Sequence, residues 1–408
     1  MLIDATRMVR GRLKGKLPTG VDRVDIEYVR HFRARALAVL RLGPVWVTLP
    51  AERSDRLFGH LLEPEEECAQ SLRMVLTRCC AAARLGLPHG DGIFLNSGHN
   101  GLERPDYSAK LRRSGTRPLF FVHDLIPDTH PEYCRPGDAE KHRRRLAAML
   151  SLARGLAVNS EHTRQTLVEH ARRRGCSVPT CVVAPLAPAR LPPPIGDPPL
   201  AHPYFVVLGT IESRKNHLLL LNMWRSLVNE FGPAAPRLAI IGQPGWECEQ
   251  ALDMLERCEV LRGYVLKLPR CDDTQLALWL HHARALLIPS FVEGYGLPVV
   301  EALAAGVPVI ASRLPVFRDI AGDIPEYLDP TDGLGWREAI LDYTTPYSPS
   351  RRMQLRRLEA FRAPTWDEHF MRLDDLIARI MAENRRTQPL RGPQRRDREG
   401  VFAARRHI

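Results

Sequence analysis

Short runs of β-branched and aliphatic residues alternate with longer stretches whose apolar positions recur at three- and four-residue spacing. That alternation predicts an α/β protein built on parallel sheets. In the first half, Val45–Leu49, Ile93–Asn96, Leu119–His123, Leu156–Asn159 and Cys181–Ala184 read as strands. Helices are expected at Gly137–Ala153 and Glu161–Arg173. Pro185–Pro203 then carries too many prolines for a regular element, because each one removes a backbone donor and fixes φ. It reads as an inter-domain linker, and a hinge is expected there. A second series follows, with strands at Tyr204–Leu208, Arg237–Ile241, Tyr264–Leu268, Ala285–Pro289 and Val307–Ala311 and a helix at His217–Phe231. The last helix is expected at Trp366–Ala382, where Phe370, Leu373, Leu376, Ile377 and Ile380 keep helical spacing.

A chain of 408 residues exceeds the usual size of one core, so two domains are expected, over 1–190 and 200–383. The stretch 384–408 is arginine-rich, nearly free of core residues, and reads as a basic disordered tail. Hydrophobic residues make up 44% and charged residues 26%, the balance of an ordinary globular protein. No uncharged apolar run reaches the roughly 18 residues of a membrane-spanning helix. The opening MLIDATRMVRGRLKGK is too short in its apolar part for a secretion signal, so a cytoplasmic protein is expected. The nine cysteines show no CxxC spacing, and Cys79 and Cys80 are adjacent; buried free thiols fit better than disulfides or a zinc site.

The net charge of +11 calls for an anionic partner: nucleic acid, a membrane surface or a phosphorylated ligand. No finger, RNP motif or basic heptad pattern is present, which argues against nucleic acid. Basic Lys141–Arg145 with Leu146, Met149 and Leu150 suits either the surface of an anionic bilayer or a solvated helix face.

Two segments concentrate candidate chemistry. Gly209-Thr210-Ile211-Glu212-Ser213-Arg214-Lys215-Asn216-His217 lies where a strand runs into a helix, the place where parallel sheets bind ligands. Gly209 permits close backbone approach, and Arg214 and Lys215 set two cations beside a helix N-terminus, an arrangement suited to a diphosphate. A solvated basic turn is the plainer reading of the same residues. The second segment is Pro289-Ser290-Phe291-Val292-Glu293-Gly294-Tyr295-Gly296-Leu297-Pro298-Val299-Val300-Glu301. Gly294 and Gly296 would bring backbone donors against a ligand, Pro298 suits a first helical turn, and Glu293 and Glu301 can each accept from hydroxyl pairs. An acid near a helix N-terminus is also favoured by the macrodipole alone, which is the simple account of Glu301.

The second segment resembles the Glu-x7-Glu signature of glycosyltransferase family 4, the retaining enzymes of GT-B fold. GTIESRKNH is similar to that family's phosphate-binding turn, and Asp272–Leu276, Ala283–Ser290 and Glu301–Ser312 resemble its further motifs in the expected order. Phe121–Pro127 looks like its HD segment and Asn159-Ser160-Glu161 like its NS(E/K) turn. Pro18–Val24 is similar to the tGxxRV variant of its N-terminal loop rather than the commoner double-glycine form.

The resemblance implies two Rossmann-like domains facing across a cleft, with the C-terminal helix crossing back to the first. It implies transfer of a hexosyl group with retention, mannose from GDP-mannose as first choice and UDP-sugars next, to a lipid-linked or polysaccharide acceptor in bacterial surface polysaccharide synthesis. His123, Glu293, Arg214 and Lys215 would be catalytic. Gly209, Thr210, Gly294, Tyr295, Gly296, Leu297 and Glu301 would hold the donor with them, Glu301 at the ribose and the base near Leu268–Arg270. Thr19, Gly20, Arg23 and Asp124 would line the acceptor side. No Asp-x-Asp triplet occurs, so a metal-independent site with no cofactor is expected. Two alternatives stay open: a non-catalytic nucleotide-sugar-binding partner, and a synthase of the same architecture acting on a soluble sugar. A dinucleotide oxidoreductase lacks its GxGxxG.

Overall fold

The computed structural model describes residues 1–15, 20–63, 72–73, 76, 83–268 and 271–387, with side chains described to residue 382. Two sheets organise it. The first holds β1 (Leu2–Asp4), β2 (Leu37–Leu42), β3 (Val45–Thr48), β4 (Arg84–Leu85), β5 (Ile93–Asn96), β6 (Arg117–Val122), β7 (Gly155–Val158) and β8 (Cys181–Val183), in the spatial order β4-β3-β2-β1-β5-β6-β7-β8. The second holds β9 (Tyr204–Leu208), β10 (Arg237–Ile241), β11 (Val265–Leu268), β12 (Leu286–Ile288), β13 (Val309–Ser312) and β14 (Glu326–Leu328), in the order β11-β10-β9-β12-β13-β14.

The second sheet is parallel throughout. The first departs from the expected all-parallel form at one edge, where β2, β3 and β4 pair antiparallel. The reason is local. Only Gly43 and Pro44 separate β2 from β3, and a two-residue turn can reverse a strand but cannot cross over a sheet.

Both sheets reverse their order at the middle. In the second, the chain runs outward from β9 to β11, then returns to β12 and continues on the other side. The carboxyl ends of β9 and β12 therefore flank a crevice, the position at which open α/β sheets receive ligands. In the first sheet, β1 and β5 flank the corresponding crevice.

The final helix, Trp366–Thr387, runs five residues beyond its expected end, into the stretch read as tail. It crosses back as expected: Phe370, Leu373, Leu376 and Ile380 are buried in the core of the first domain. Its His369 meets the carbonyl of Pro185 at 3.0 Å and the hydroxyl of Tyr28 at 3.0 Å, tying helix, linker and first domain together. Trp366 packs on His369 and Phe370.

The helix Asp138–Leu152 turns the apolar positions beside its basic stretch into the first domain. Leu146 and Met149 are buried in a core cluster of the first domain, with Leu150 packed against it. Arg143 and Arg144 pair with Glu140, and Arg145 with Glu103. The apolar positions are used within the fold, which leaves a solvated helix face. No helix among the described residues is long and apolar enough to cross a membrane. The six described cysteines are free, but only Cys248 is buried and Cys176 is exposed, so burial is corrected for most of them. Cys79 and Cys80 lie outside the described residues.

Candidate functional site

Beyond the end of β9 the backbone turns at Gly209, whose φ of +126° is left to glycine. A Cβ there would stand 3.1 Å from the amine of Lys215, so the absent side chain leaves space for that cation. Ser213–Lys215 makes a single 3₁₀ turn, and Asn216 adopts a left-handed conformation at φ +57° ahead of the helix His217–Phe231. The Asn216 amide holds this conformation by donating to the carbonyl of Pro330 at 2.9 Å.

This turn is bound to the loop after β12. The Phe291 N–H donates to the carbonyl of Arg214 at 2.8 Å, and the Arg214 guanidinium donates to that of Val292 at 3.1 Å. The two expected segments thus meet at the crevice of the second sheet. At their junction Glu293 is enclosed by Arg214 at 2.7 Å, Lys215 at 2.9 Å and the Ser290 hydroxyl at 2.9 Å. Burial alone would raise the Glu293 carboxyl, but the two cations and their hydrogen bonds overcome it and hold the pKa at about 2. Burial likewise opposes the Arg214 charge, and Glu293 and Glu212 outweigh it. The site therefore keeps the Glu293 carboxylate and the Arg214 guanidinium charged at neutral pH, in a setting that strengthens their interactions with a ligand. A solvated basic turn does not describe this geometry, since Lys215 is buried.

Across the cleft, β6 delivers His123 and Asp124. The Nε2 of His123 meets the carbonyl of Ser97 at 2.7 Å, and its own carbonyl accepts from the Asn159 amide at 2.7 Å. Because a carbonyl can only accept, Nε2 carries the proton. Burial lowers the His123 pKa to about 4, so Nδ1 is left as a neutral acceptor. The Asn-Ser-Glu turn acquires a mechanism here: Asn159 fixes His123, and Ser160 caps the helix Glu161–Arg173 through the Thr163 N–H at 3.1 Å. Asp124 approaches Gly294 so closely that a Cβ on the glycine would lie 2.8 Å from the aspartate Cβ.

Gly296, at φ +102°, caps the short helix Leu297–Ala304, and Pro298 sits in its first turn as expected. Glu301 is the fifth residue of that helix, beyond the reach of a first-turn macrodipole effect. It is buried, and burial raises its carboxyl against the charge of Arg23, 3.0 Å away. Arg23 belongs to the helix Gly20–Phe32 of the first domain, so a residue assigned to the acceptor side instead spans the cleft to the expected ribose ligand. Gly20 lies against Leu297 in the same contact. Tyr295 turns away from the cations: it is buried in the first-domain core cluster and donates to the carbonyl of Leu186 in the linker at 2.8 Å. Thr210 is placed beside Gly245. Thr19 and the stretch 269–270 lie outside the described residues.

Several residues of the site were not singled out from sequence. Asp25, fully buried on the helix Gly20–Phe32, accepts from the Ser97 hydroxyl, and burial pushes its pKa to about 7. The loop after β10, Gly242–Trp246, folds onto residues 209–212. A Cβ on Gly242 would stand 2.0 Å from the carbonyl oxygen of Gly209, and one on Gly245 2.7 Å from Glu212. The signal was available in two glycines following a confident strand, since such spacing marks close backbone approach. Among the described residues no group of three His, Cys, Asp or Glu side chains is placed to hold a metal ion. A groove of about 470 Å³ beside the helix His217–Phe231 contains none of the expected site residues.

Residues 202–343 match the family model described as Glycosyl transferases group 1. The chain is 30% identical over 224 residues to the O-antigen chain mannosyltransferase B of Escherichia coli, covering 53% of this chain and 58% of that protein. It is 28% identical over 232 residues to the serotype-specific mannosyltransferase WbdA of Escherichia coli, covering 52% of this chain and 28% of that one. The alignments thus span between about a quarter and three fifths of these relatives. Among solved structures, Anabaena Alr3699/HepE in complex with UDP and glucose superposes with a TM-score of 0.60 at 13% identity, covering 95% of this chain and 99% of that one. The fold is GT-B.

Proposed function

We propose, from the match of residues 202–343 to the group 1 glycosyl transferases, that the chain is a retaining hexosyltransferase. Its donor is a nucleoside-diphosphate sugar, GDP-mannose first, and its acceptor a lipid-linked or polysaccharide chain of a bacterial surface polymer. The observation that carries the reading is the buried Arg214–Glu293–Lys215 cluster at the β9/β12 crevice, facing His123 and Asp124. Both Escherichia coli relatives are mannosyltransferases, which favours mannose.

Chemistry and geometry agree in this reading. Breaking the bond from the anomeric carbon to the diphosphate oxygen places negative charge on the leaving group. Arg214 and Lys215, held in place by Glu293 before substrate arrives, stabilise that charge without reorganisation. The acceptor hydroxyl oxygen forms the new bond on the face the diphosphate leaves, and its proton passes to a diphosphate oxygen. Glu293 sits between the cations and the loop Gly294–Gly296, where it accepts from hydroxyls of the transferred sugar.

The test is the release of GDP from GDP-mannose, with and without a mannose-terminated lipid-linked acceptor. Wild type is expected to release GDP, faster with acceptor. Glu293→Gln is expected to lose at least about 100-fold in rate, the scale of one transition-state contact, while binding GDP within about threefold of wild type. Equal rates in the two proteins would overturn the assignment of Glu293, and no release by wild type would overturn the donor.

A further inference from the structure

Beside Arg214, on the side away from Glu293, a cavity of about 350 Å³ opens between the two domains. Asp124, Tyr133, Arg135 and Asp138 line it from the first domain, Glu212 and Trp246 from the second. We infer that this cavity is a saccharide subsite that holds the sugar of the acceptor, with Trp246 as its platform. The inference rests on the glycosyl transfer proposed above and adds where the second substrate sits.

Three observations lead to it. First, Trp246 is held in place by backbone. The Ile211 N–H donates to the carbonyl of Gln243 at 2.9 Å, the Gly245 N–H donates to that of Ile211 at 2.9 Å, and Ile211 bridges Pro244 as a strand would. Gly245 is pressed onto Thr210 and Glu212 so tightly that no side chain fits, and Glu247, directly after the tryptophan, takes a left-handed φ of +47° that a glutamate seldom adopts. Strain of this kind persists where surrounding structure enforces it, and it gathers at ligand sites.

Second, the indole Nε1 of Trp246 is buried with no hydrogen-bond partner among the described residues, although buried indole N–H groups ordinarily find one. The ring faces the Arg135 guanidinium at 4.9 Å across the domain boundary, and Tyr133 stacks on Phe291 at 5.6 Å, so aromatic surface from both domains borders the cavity.

Third, the polar lining suits a neutral polyol better than an anion. Asp124, Asp138 and Glu212 are carboxylates, which accept from paired hydroxyls. The Arg214 charge is already shared between Glu212 at 2.9 Å and Glu293 at 2.7 Å. An anionic ligand would meet three carboxylates here against Arg135, which faces the indole, and an Arg214 already shared, whereas a sugar offers hydroxyls to all of these groups and apolar C–H faces to the rings. The position is also right for retention, because the cavity adjoins the cation assigned to the departing diphosphate.

The experiment titrates GDP-loaded protein with α-linked mannotriose by calorimetry. Wild type is expected to bind. Trp246→Ala is expected to weaken mannotriose at least about tenfold and Trp246→Phe, which keeps a ring and drops the N–H, about fivefold, each leaving GDP affinity within about twofold. Asp138→Ala, at the rim and outside the donor cluster, is expected to weaken mannotriose without changing the melting temperature, which covers the case of a misfolded tryptophan variant. Wild-type affinity for mannotriose in a folded Trp246 variant and in Asp138→Ala, or no binding by GDP-loaded wild type, overturns the subsite. Failure to bind GDP overturns the proposed function instead.

Discussion

Glu293 and Asp25 are both fully buried carboxyl groups, and the structure drives them in opposite directions. Glu293 faces two cations and stays ionised. Asp25 has Arg7 at 3.8 Å and the Ser97 hydroxyl, which burial outweighs, so its pKa rises to about 7. The stability consequence follows from linkage. Below about pH 4 Asp25 is protonated in folded and unfolded chains alike. Between about 4 and 7 the unfolded chain releases the proton and the folded one keeps it, so this group's contribution falls as pH rises and is lost above about 7. Asp25→Asn is expected to flatten the fall in melting temperature over that window. Matching slopes in the two proteins would show that Asp25 ionises normally. Neither value could be read from sequence. Asp25 lies one helical turn from Val29 and Asp22 and has no motif of its own; its burial is created by Gly98, whose missing side chain lets Arg7 and Asp25 close over the loop after β5. Arg214, Lys215 and Glu293 were legible because glycines and charges crowd together at strand ends. What sequence did not tell is that one carboxylate pairs with both cations.

Strands in the second domain were legible nearly to the residue, at Tyr204–Leu208 and Arg237–Ile241, because each is a full apolar run bounded by proline or glycine. The central strand β1 was not, since three residues carry no periodicity and its place is set by pairing with β2 and β5. β2, Leu37–Leu42, was hidden by the arginines on either side. One of them, Arg41, is inside the strand and buried against Asp4 at 2.8 Å, a pairing that only the tertiary fold supplies. The last helix was legible from its stripe, and the structure shows what it docks on. Gly155 opens β7, and a Cβ there would lie 2.5 Å from the end of Ile380. Gly155→Val is therefore expected to cost about 2 kcal/mol by overpacking, and Ile380→Val in the same chain to restore part of it. Denaturant unfolding checks this; additive losses in the double variant would show that the two side chains do not meet.

At the scale of the molecule, the cleft is bounded by pairs that join the domains: Arg23 with Glu301, Asp124 against Gly294, the Thr163 hydroxyl with the Gly294 carbonyl at 3.4 Å, and the His162 N–H with Asp319 at 3.0 Å. The chain passes between domains twice, through the proline-rich segment 185–203 and again at 361–365, and His369 and Tyr295 fasten the first crossing at Pro185 and Leu186. Residues 186 onward are left as the place where a hinge can act. The proposed donor, anionic at one end and a sugar at the other, matches a cleft with cations on one wall and hydroxyl acceptors on both. The net charge of +11, once open to several partners, is most simply matched by such a ligand.

The ligand proposed for this cleft is a nucleoside-diphosphate sugar. The most direct measurement is the melting temperature of the protein with GDP, UDP, GDP-mannose, UDP-glucose or NAD, because a ligand that binds the folded state raises it by mass action. An upward shift is expected with GDP and GDP-mannose and none with NAD. A shift with NAD alone, or with none of the five, would contradict that proposal.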